Sequence, residues 1–169
     1  MSKNTRFLTH AAVIAALYAV LTHLQNVLLP GSTTWAIQMR LSEALCVLSF
    51  FTPAAIPGLT VGCLVFNITY AAALPLDFLV GSLATLLAAG GMWLTRRVTV
   101  KGYPLVGMAM PALFNALLVG WELTVYIGDG FFLNALYVAL GELAVLLTFG
   151  TVLFYAVKKR HLDTKVFGA

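Results

Sequence analysis

The segment Leu41–Leu94 most constrains the fold, because it contains only two charged side chains, Glu43 and Asp77. The whole chain is similar: 61% of its residues are hydrophobic, 9% are charged, and the mean hydropathy is +0.95. About 25% of residues are charged in a typical soluble domain. Lipid must therefore cover much of this surface, and we predict an all-α membrane protein with a single transmembrane domain over residues 1–169.

Apolar runs and helix breakers predict six transmembrane helices. A span takes roughly 20 residues, and Pro53, Pro57 and Pro75 divide Leu41–Leu94 into short ones. The first run, Phe7–Leu29, exceeds the roughly 7–15 apolar residues of a signal peptide, so we expect it to persist as a helix. The predicted spans cover residues 7–29, 40–55, 58–74, 76–94, 103–123 and 131–157.

The basic residues predict the orientation of these spans. Nine of the ten fall at the two termini or in the loop after the fourth span. With six spans, all three regions lie on one side, which the positive-inside rule makes cytoplasmic. Both termini are thus expected to be cytoplasmic. The nine are Lys3, Arg6, Arg96, Arg97, Lys101, Lys158, Lys159, Arg160 and Lys165.

Several chemistries lack sequence support. The basic clusters are short and lie between apolar runs, so no nucleic-acid partner is expected. Cys46 and Cys63 lie in apolar segments without a CxxC spacing or a nearby histidine pair, which favours buried free thiols over a disulfide or a metal site. No P-loop, HExxH or GxSxG motif occurs. We expect no cofactor, no metal and no catalytic residue.

Acidic residues concentrate on the predicted outer side. Glu43, Asp77, Glu122, Asp129 and Glu142 all lie in the outer halves of spans or in the outer loops, where Arg40 is the one base. A charged side chain within a helix costs about 2.5–3.5 kcal/mol on insertion scales. This excess of acids predicts a polar cavity, open to the outside, for a cationic or donor-rich ligand.

Helix periodicity adds further candidates. Asn115, Glu122 and Tyr126 share one face of the fifth span, and Asn134 lies two turns before Glu142 on the sixth. For the asparagines, both ligand contacts and interhelical hydrogen bonds stay open. For Arg40 and Glu43, i, i+3 neighbours, a local ion pair and a ligand role stay open. The candidate binding residues are Arg40, Glu43, Asn67, Asp77, Asn115, Glu122, Tyr126, Asn134 and Glu142, with Trp35 and Trp121 as stacking surfaces.

The first span carries a stripe of small residues. Ala11, Ala15 and Ala19 are spaced i, i+4, i+8, with Ala12 and Ala16 on an adjacent stripe. Small residues at this spacing allow another helix to approach closely.

Two runs are distinctive: Gln38-Met39-Arg40-Leu41-Ser42-Glu43-Ala44-Leu45 and Phe51-Thr52-Pro53-Ala54-Ala55-Ile56-Pro57-Gly58-Leu59. A third, less specific pattern comprises Leu76-Asp77 and Gly81-Ser82-Leu83-Ala84-Thr85-Leu86. Together these runs resemble the QueT family. The resemblance extends over nearly the whole chain.

The resemblance implies the substrate-binding S component of an energy-coupling factor (ECF) transporter for queuosine precursors. It also implies six helices, a transmembrane coupling subunit and two cytoplasmic ATPases as partners. The alanine stripe would contact the coupling subunit. The ligand would be a deazapurine such as preQ1, preQ0 or queuine, with Glu142 or Glu122 on its donor groups and Asn115 and Asn134 on its carbonyl edge.

Two alternatives remain at this stage. The first keeps the S-component architecture and changes the solute to thiamin, riboflavin or another vitamin. The second is a non-transport assembly protein of the membrane, whose polar residues only join helices.

Overall fold

The structure, a computed structural model, describes residues 2–33 and 38–167, and every element among them is helical. Because apolar residues occur on all sides of most segments, the helices pack as a bundle with apolar side chains facing both the core and the surface. The helices are α1 (Lys3–Leu28), a 3₁₀-helix (Leu41–Phe50), α2 (Ala55–Thr69), α3 (Asp77–Thr95), α4 (Leu105–Met108), α5 (Met110–Tyr126), α6 (Phe131–Val145), a π-helical turn (Leu146–Gly150), α7 (Thr151–Lys159) and a terminal π-helical segment (Asp163–Phe167).

Four helices in the described ranges are long and apolar enough to cross a membrane. They are Lys3–Leu28, Asp77–Thr95, Leu105–Tyr126 and Phe131–Lys159, so α4 with α5 and α6 with α7 each form one continuous rod. Two shorter apolar helices accompany them, Leu41–Phe50 and Ala55–Thr69. The prediction of an all-helical membrane protein is confirmed.

The segment predicted as the second span is a ten-residue 3₁₀-helix. Such helices seldom exceed three or four residues in proteins, because their hydrogen bonds have poorer geometry. Here eight of the ten residues are buried, so tertiary packing holds the segment in this form. Its continuous apolar run carries no periodic signal, and the sequence therefore could not distinguish it from an α-helix.

Helices α1 and α2 pack closely through glycine. A Cβ atom at Gly58 would lie 2.7 Å from the backbone oxygen of Ala11, and one at Gly62 would lie 2.8 Å from that of Ala15. The i, i+4 spacing of the two glycines places both on the face that meets α1. Small residues on both helices thus set the distance between the two axes.

We expect Gly58→Ala to lower the free energy of unfolding by about 1–3 kcal/mol, because the added methyl group must push the two backbones apart. The matched control is Gly90→Ala in α3, where a Cβ meets no atom of the described residues within 4 Å. That change should stabilise the helix by roughly 0.5–1 kcal/mol. Thermal unfolding in detergent measures both variants, and equal shifts of the same sign would contradict this packing.

The two described ends of the chain meet. The guanidinium of Arg6 donates a hydrogen bond to the Val166 carbonyl, and the rings of His10 and Phe167 pack edge to face with centroids 5.5 Å apart. The start of α1 and the terminal segment therefore lie at the same end of the bundle. We call this the basic end, because it carries Lys3 and Arg6 together with Lys158, Lys159, Arg160 and Lys165.

Candidate functional site

Five charged side chains from four segments are buried together where α3 begins. Arg40 and Glu43 lie at the start of the 3₁₀-helix, Asp77 opens α3, and Glu122 and Glu142 lie on α5 and α6. None is more than 5% exposed. Glu122 interacts electrostatically with Asp77 and Arg40, and Glu142 with Glu43 and Arg40. These five residues, which we call the acidic cluster, therefore form one electrostatic unit of four acids and one base.

The backbone around Arg40 is held by neighbouring helices. The side-chain oxygen of Gln25 in α1 accepts a hydrogen bond from the Leu41 amide at 2.8 Å. The Gln38 carbonyl packs directly on Gly141 of α6, at a point where any side chain would collide with it. Glycine at position 141 therefore lets this chain segment approach α6 and carry Arg40 into the interior.

Arg40 forms an ion pair with Asp77, and the guanidinium makes further contacts. Arg40 Nη2 lies 3.5 Å from Asp77 Oδ2, and Arg40 Nε donates to the Thr33 carbonyl at 3.3 Å. The guanidinium also lies over the Phe66 ring, 5.7 Å from its centroid. Asn67 Nδ2 donates to the Asp77 carbonyl at 2.8 Å and fixes the start of α3 against α2.

Glu43 has a hydrogen-bond donor for each of its carboxylate oxygens. The Tyr18 hydroxyl donates to Oε1, and Cys46 Sγ donates to Oε2 at 3.1 Å. The local ion pair with Arg40 that the i, i+3 spacing allowed does not form, since Arg40 pairs with Asp77. Glu43 thereby joins α1 to the 3₁₀-helix.

Glu122 and Glu142 differ from Glu43 in how many of their carboxylate oxygens accept a hydrogen bond. Asn115 Nδ2 donates to Glu142 Oε1 at 3.0 Å, but Glu142 Oε2 finds no donor within residues 2–33 and 38–167. Both carboxylate oxygens of Glu122 lack a donor in the same ranges. Three carboxylate oxygens on α5 and α6 are thus buried without protein donors among the described residues.

Further buried polar atoms also lack a hydrogen-bond partner among the described residues. Beside the acids they are Asp77 Oδ1, Asn67 Oδ1 and one donor, Arg40 Nη2, which lies 3.5 Å from Asp77 Oδ2 in the ion pair without a hydrogen bond. Ser49 Oγ in the 3₁₀-helix and Ser82 Oγ in α3 also lack a partner. Most buried polar groups in proteins have a partner, because an unsatisfied one costs about 1–3 kcal/mol and a charged one more. A concentration of unpartnered acceptors in one place is the arrangement that a donor-rich, positively charged ligand would complete.

The structure places the remaining candidates outside this group. Asn134 is buried but donates to Thr124 Oγ1 at 3.2 Å and to the Gly128 carbonyl at 2.7 Å, which closes the turn between α5 and α6. Trp121 is 50% exposed and Tyr126 is 41% exposed, so both point away from the interior. Trp35 lies outside the described residues.

The sequence analysis missed two residues that contact the acidic cluster, Tyr18 and Cys46. Tyr18 is fully buried in the middle of α1. A tyrosine away from the ends of a predicted span is a usable signal, because its hydroxyl needs a partner there. Cys46 carries no comparable signal, since cysteine behaves as a small hydrophobic residue in apolar helices.

The alanine stripe of α1 lies next to α2. Ala11 and Ala15 are half-buried beside Gly58 and Gly62, and Ala19 is 9% exposed. Ala12 and Ala16, on the adjacent stripe, are exposed. Contact between the Ala11, Ala15 and Ala19 stripe and a partner helix stays a prediction.

Comparison with known proteins identifies the family. A family model described as QueT transporter matches residues 8–159. No curated protein and no solved structure gives a significant match. The match covers the whole acidic cluster and all four long helices except residues 3–7 of α1, so the chain belongs to the QueT transporter family.

Proposed function

We propose that the chain is the S component of an ECF importer, which captures a queuosine precursor such as preQ1, preQ0 or queuine from outside the cell. The observation that carries this proposal is the set of buried, unpartnered carboxylate oxygens of Glu122 and Glu142. The family match supports a transport protein. A binding subunit needs a polar site inside an apolar bundle, and the acidic cluster supplies one.

The chemistry of preQ1 fits this site. It is a deazaguanine with a protonated aminomethyl group, so it combines one positive charge with a row of N–H donors. One carboxylate can accept two of these donors side by side, and a second can pair with the ammonium group. We assign these roles to Glu122 and Glu142, with Asn115 on the carbonyl edge. Arg40 and Asp77 line one side of the site, and Glu43 holds the 3₁₀-helix that follows Arg40 against α1.

Six membrane crossings with both termini in the cytoplasm fit this function. Four long helices and two short apolar ones give six candidate segments. The contacts of Arg6 with Val166 and of His10 with Phe167 bring the start and the end of the described chain together, which supports an even number of crossings. The positive-inside rule favours the cytoplasm for the basic end.

The proposal includes a membrane coupling subunit and two cytoplasmic ATPases as partners, with the bacterial cytoplasmic membrane as the location. Ala11 and Ala15 line a groove of about 280 Å³ between α1 and α2. Leu8 and Val61 border the same groove. A small side chain or a ridge of a partner helix fits a groove of this kind.

Binding of preQ1 to the purified chain tests the proposal. We expect saturable binding of preQ1 by calorimetry or thermal shift, with guanine weaker because it lacks the ammonium group. Thiamin, which is cationic, and riboflavin, which is neutral, test the alternative that the site serves another vitamin. A folded protein that binds none of them would favour the assembly-protein alternative and contradict the proposal.

A further inference from the structure

Two adjoining cavities lie at the basic end, and no residue of the acidic cluster lines either of them. The first, of about 280 Å³, is lined by Lys3, Arg6 and His10 of α1 and by Phe167 of the terminal segment. The second, of about 180 Å³, continues along α1 toward the middle of the bundle. His10 and Phe167 line both cavities, and their edge-to-face contact marks the boundary between them.

The two cavities differ in chemistry. The first presents the charges of Lys3 and Arg6 beside the polar side chain of Thr52. The Arg6 guanidinium is oriented by its hydrogen bond to the Val166 carbonyl, which leaves other N–H groups for a ligand. The second cavity is lined mainly by aliphatic side chains. They are Val13, Ile14 and Leu17 of α1, Leu48 of the 3₁₀-helix and Val166.

The length of the two cavities along α1 is comparable to the depth of one membrane leaflet. From Lys3 to Leu17 the helix rises about 21 Å, at about 1.5 Å per residue. One leaflet of a bilayer has a hydrocarbon depth of about 15 Å, beyond which the headgroup begins. A phosphate held by Lys3 and Arg6 would therefore leave an acyl chain to run past His10 and along the apolar groove.

We propose that this pair of cavities is a binding site for one anionic phospholipid. The phosphate lies between Lys3 and Arg6, and one acyl chain follows Val13 and Leu17. Charge complementarity selects the ligand, because the basic end carries six lysines and arginines against one acid, Asp163. Basic pockets between helices at the cytoplasmic side bind anionic headgroups in this manner. The site does not depend on which solute the acidic cluster binds.

Native mass spectrometry of the full chain in micelles with equal phosphatidylglycerol and phosphatidylcholine tests this site. We expect one phosphatidylglycerol to be retained in preference to phosphatidylcholine. The variant Lys3→Gln/Arg6→Gln should weaken its binding about 25-fold, at about five-fold for each lost charge. The control Arg96→Gln/Arg97→Gln removes the same charge from another loop and should change binding less than two-fold. Equal losses in both variants would show diffuse attraction and overturn the proposal.

A second pair of variants tests the acyl groove. Val13→Trp fills it and should displace the lipid with both cations in place. Val20→Trp is the control on the same helix, since Val20 is 61% exposed and lines neither cavity. Thermal unfolding in phosphatidylcholine alone verifies that each variant folds. Retention of the lipid by Val13→Trp, or its displacement by an equal concentration of glycerol phosphate, would show a site for free anions and overturn the proposal.

Discussion

Replacing Glu142 with Gln should weaken preQ1 binding about 100-fold, and Glu122→Gln should have an effect of similar size. Each substitution keeps the shape of the side chain and removes its charge. Losing one partner of a buried, hydrogen-bonded charge pair costs about 2–5 kcal/mol of binding energy, and 100-fold is about 2.7 kcal/mol. Calorimetric titration of each purified variant measures the loss.

Glu122→Gln should change the stability of the ligand-free chain in the opposite direction. Glu122 is fully buried, and its carboxylate has no donor among the described residues, so the empty protein bears the cost of desolvating it. Glu122→Gln should therefore raise the free energy of unfolding of the ligand-free chain by about 1–2 kcal/mol. A residue that weakens stability and strengthens binding is expected at a ligand site.

Glu43→Gln is the matched control for these changes. Both carboxylate oxygens of Glu43 already accept hydrogen bonds from Tyr18 and Cys46. The glutamine keeps one acceptor and turns a second donor toward the Cys46 thiol, so stability should fall by about 1–3 kcal/mol while preQ1 affinity stays within about three-fold. A large loss of affinity in this variant, with no loss in the other two, would contradict the assignment of roles.

Removing Arg40 alone should be among the most destabilising single changes in the chain. Arg40→Met leaves Asp77 buried at 3% exposure without its counter-ion, and breaking a buried ion pair in this way costs about 3–5 kcal/mol. Asp77→Asn alone strands the guanidinium and should have a cost of the same order. Chemical or thermal unfolding in detergent measures each loss.

The double variant Arg40→Met/Asp77→Asn tests whether these losses of stability come from the ion pair itself. With both charges gone, most of the stability should return, because a buried ion pair and a neutral pair of similar volume are often nearly equal in free energy. The cycle of single and double variants isolates the interaction between the two residues. Additive losses would mean that each residue acts through other contacts.

The sequence allowed the helical character and the clustering of the acids to be predicted, for identifiable physical reasons. Apolar runs of about 20 residues leave few alternatives to helices in a membrane. Assigning the loops to two sides then placed Glu43, Asp77, Glu122 and Glu142 together, and the structure buries all four in one cluster. Prolines divided Leu41–Leu94 near the observed helix ends, although α2 already begins at Ala55, two residues before Pro57.

Pairing within the cluster could not be predicted. Arg40 has Glu43 one helical turn away in sequence, yet it pairs with Asp77, because α3 begins beside the start of the 3₁₀-helix. As predicted, Asn115 and Glu122 share a buried face of α5, but Tyr126 at the end of α5 is 41% exposed and does not lie on that face. Asn134 donates a hydrogen bond to the turn between α5 and α6, and this contact depends on how the two helices pack.

The 3₁₀-helix Leu41–Phe50 also fixes how far the chain advances along the bundle between Arg40 and Phe51. Ten residues rise about 20 Å in this form, against about 15 Å in an α-helix. Its repeat of three residues per turn aligns Glu43, Cys46 and Ser49 in one row, which is why the Cys46 thiol reaches the Glu43 carboxylate. A change to α-helical hydrogen bonding would shorten this segment by about 5 Å and rotate this row out of line. The depth at which Arg40 meets Asp77 is therefore set by the hydrogen-bond register of the helix that follows Arg40.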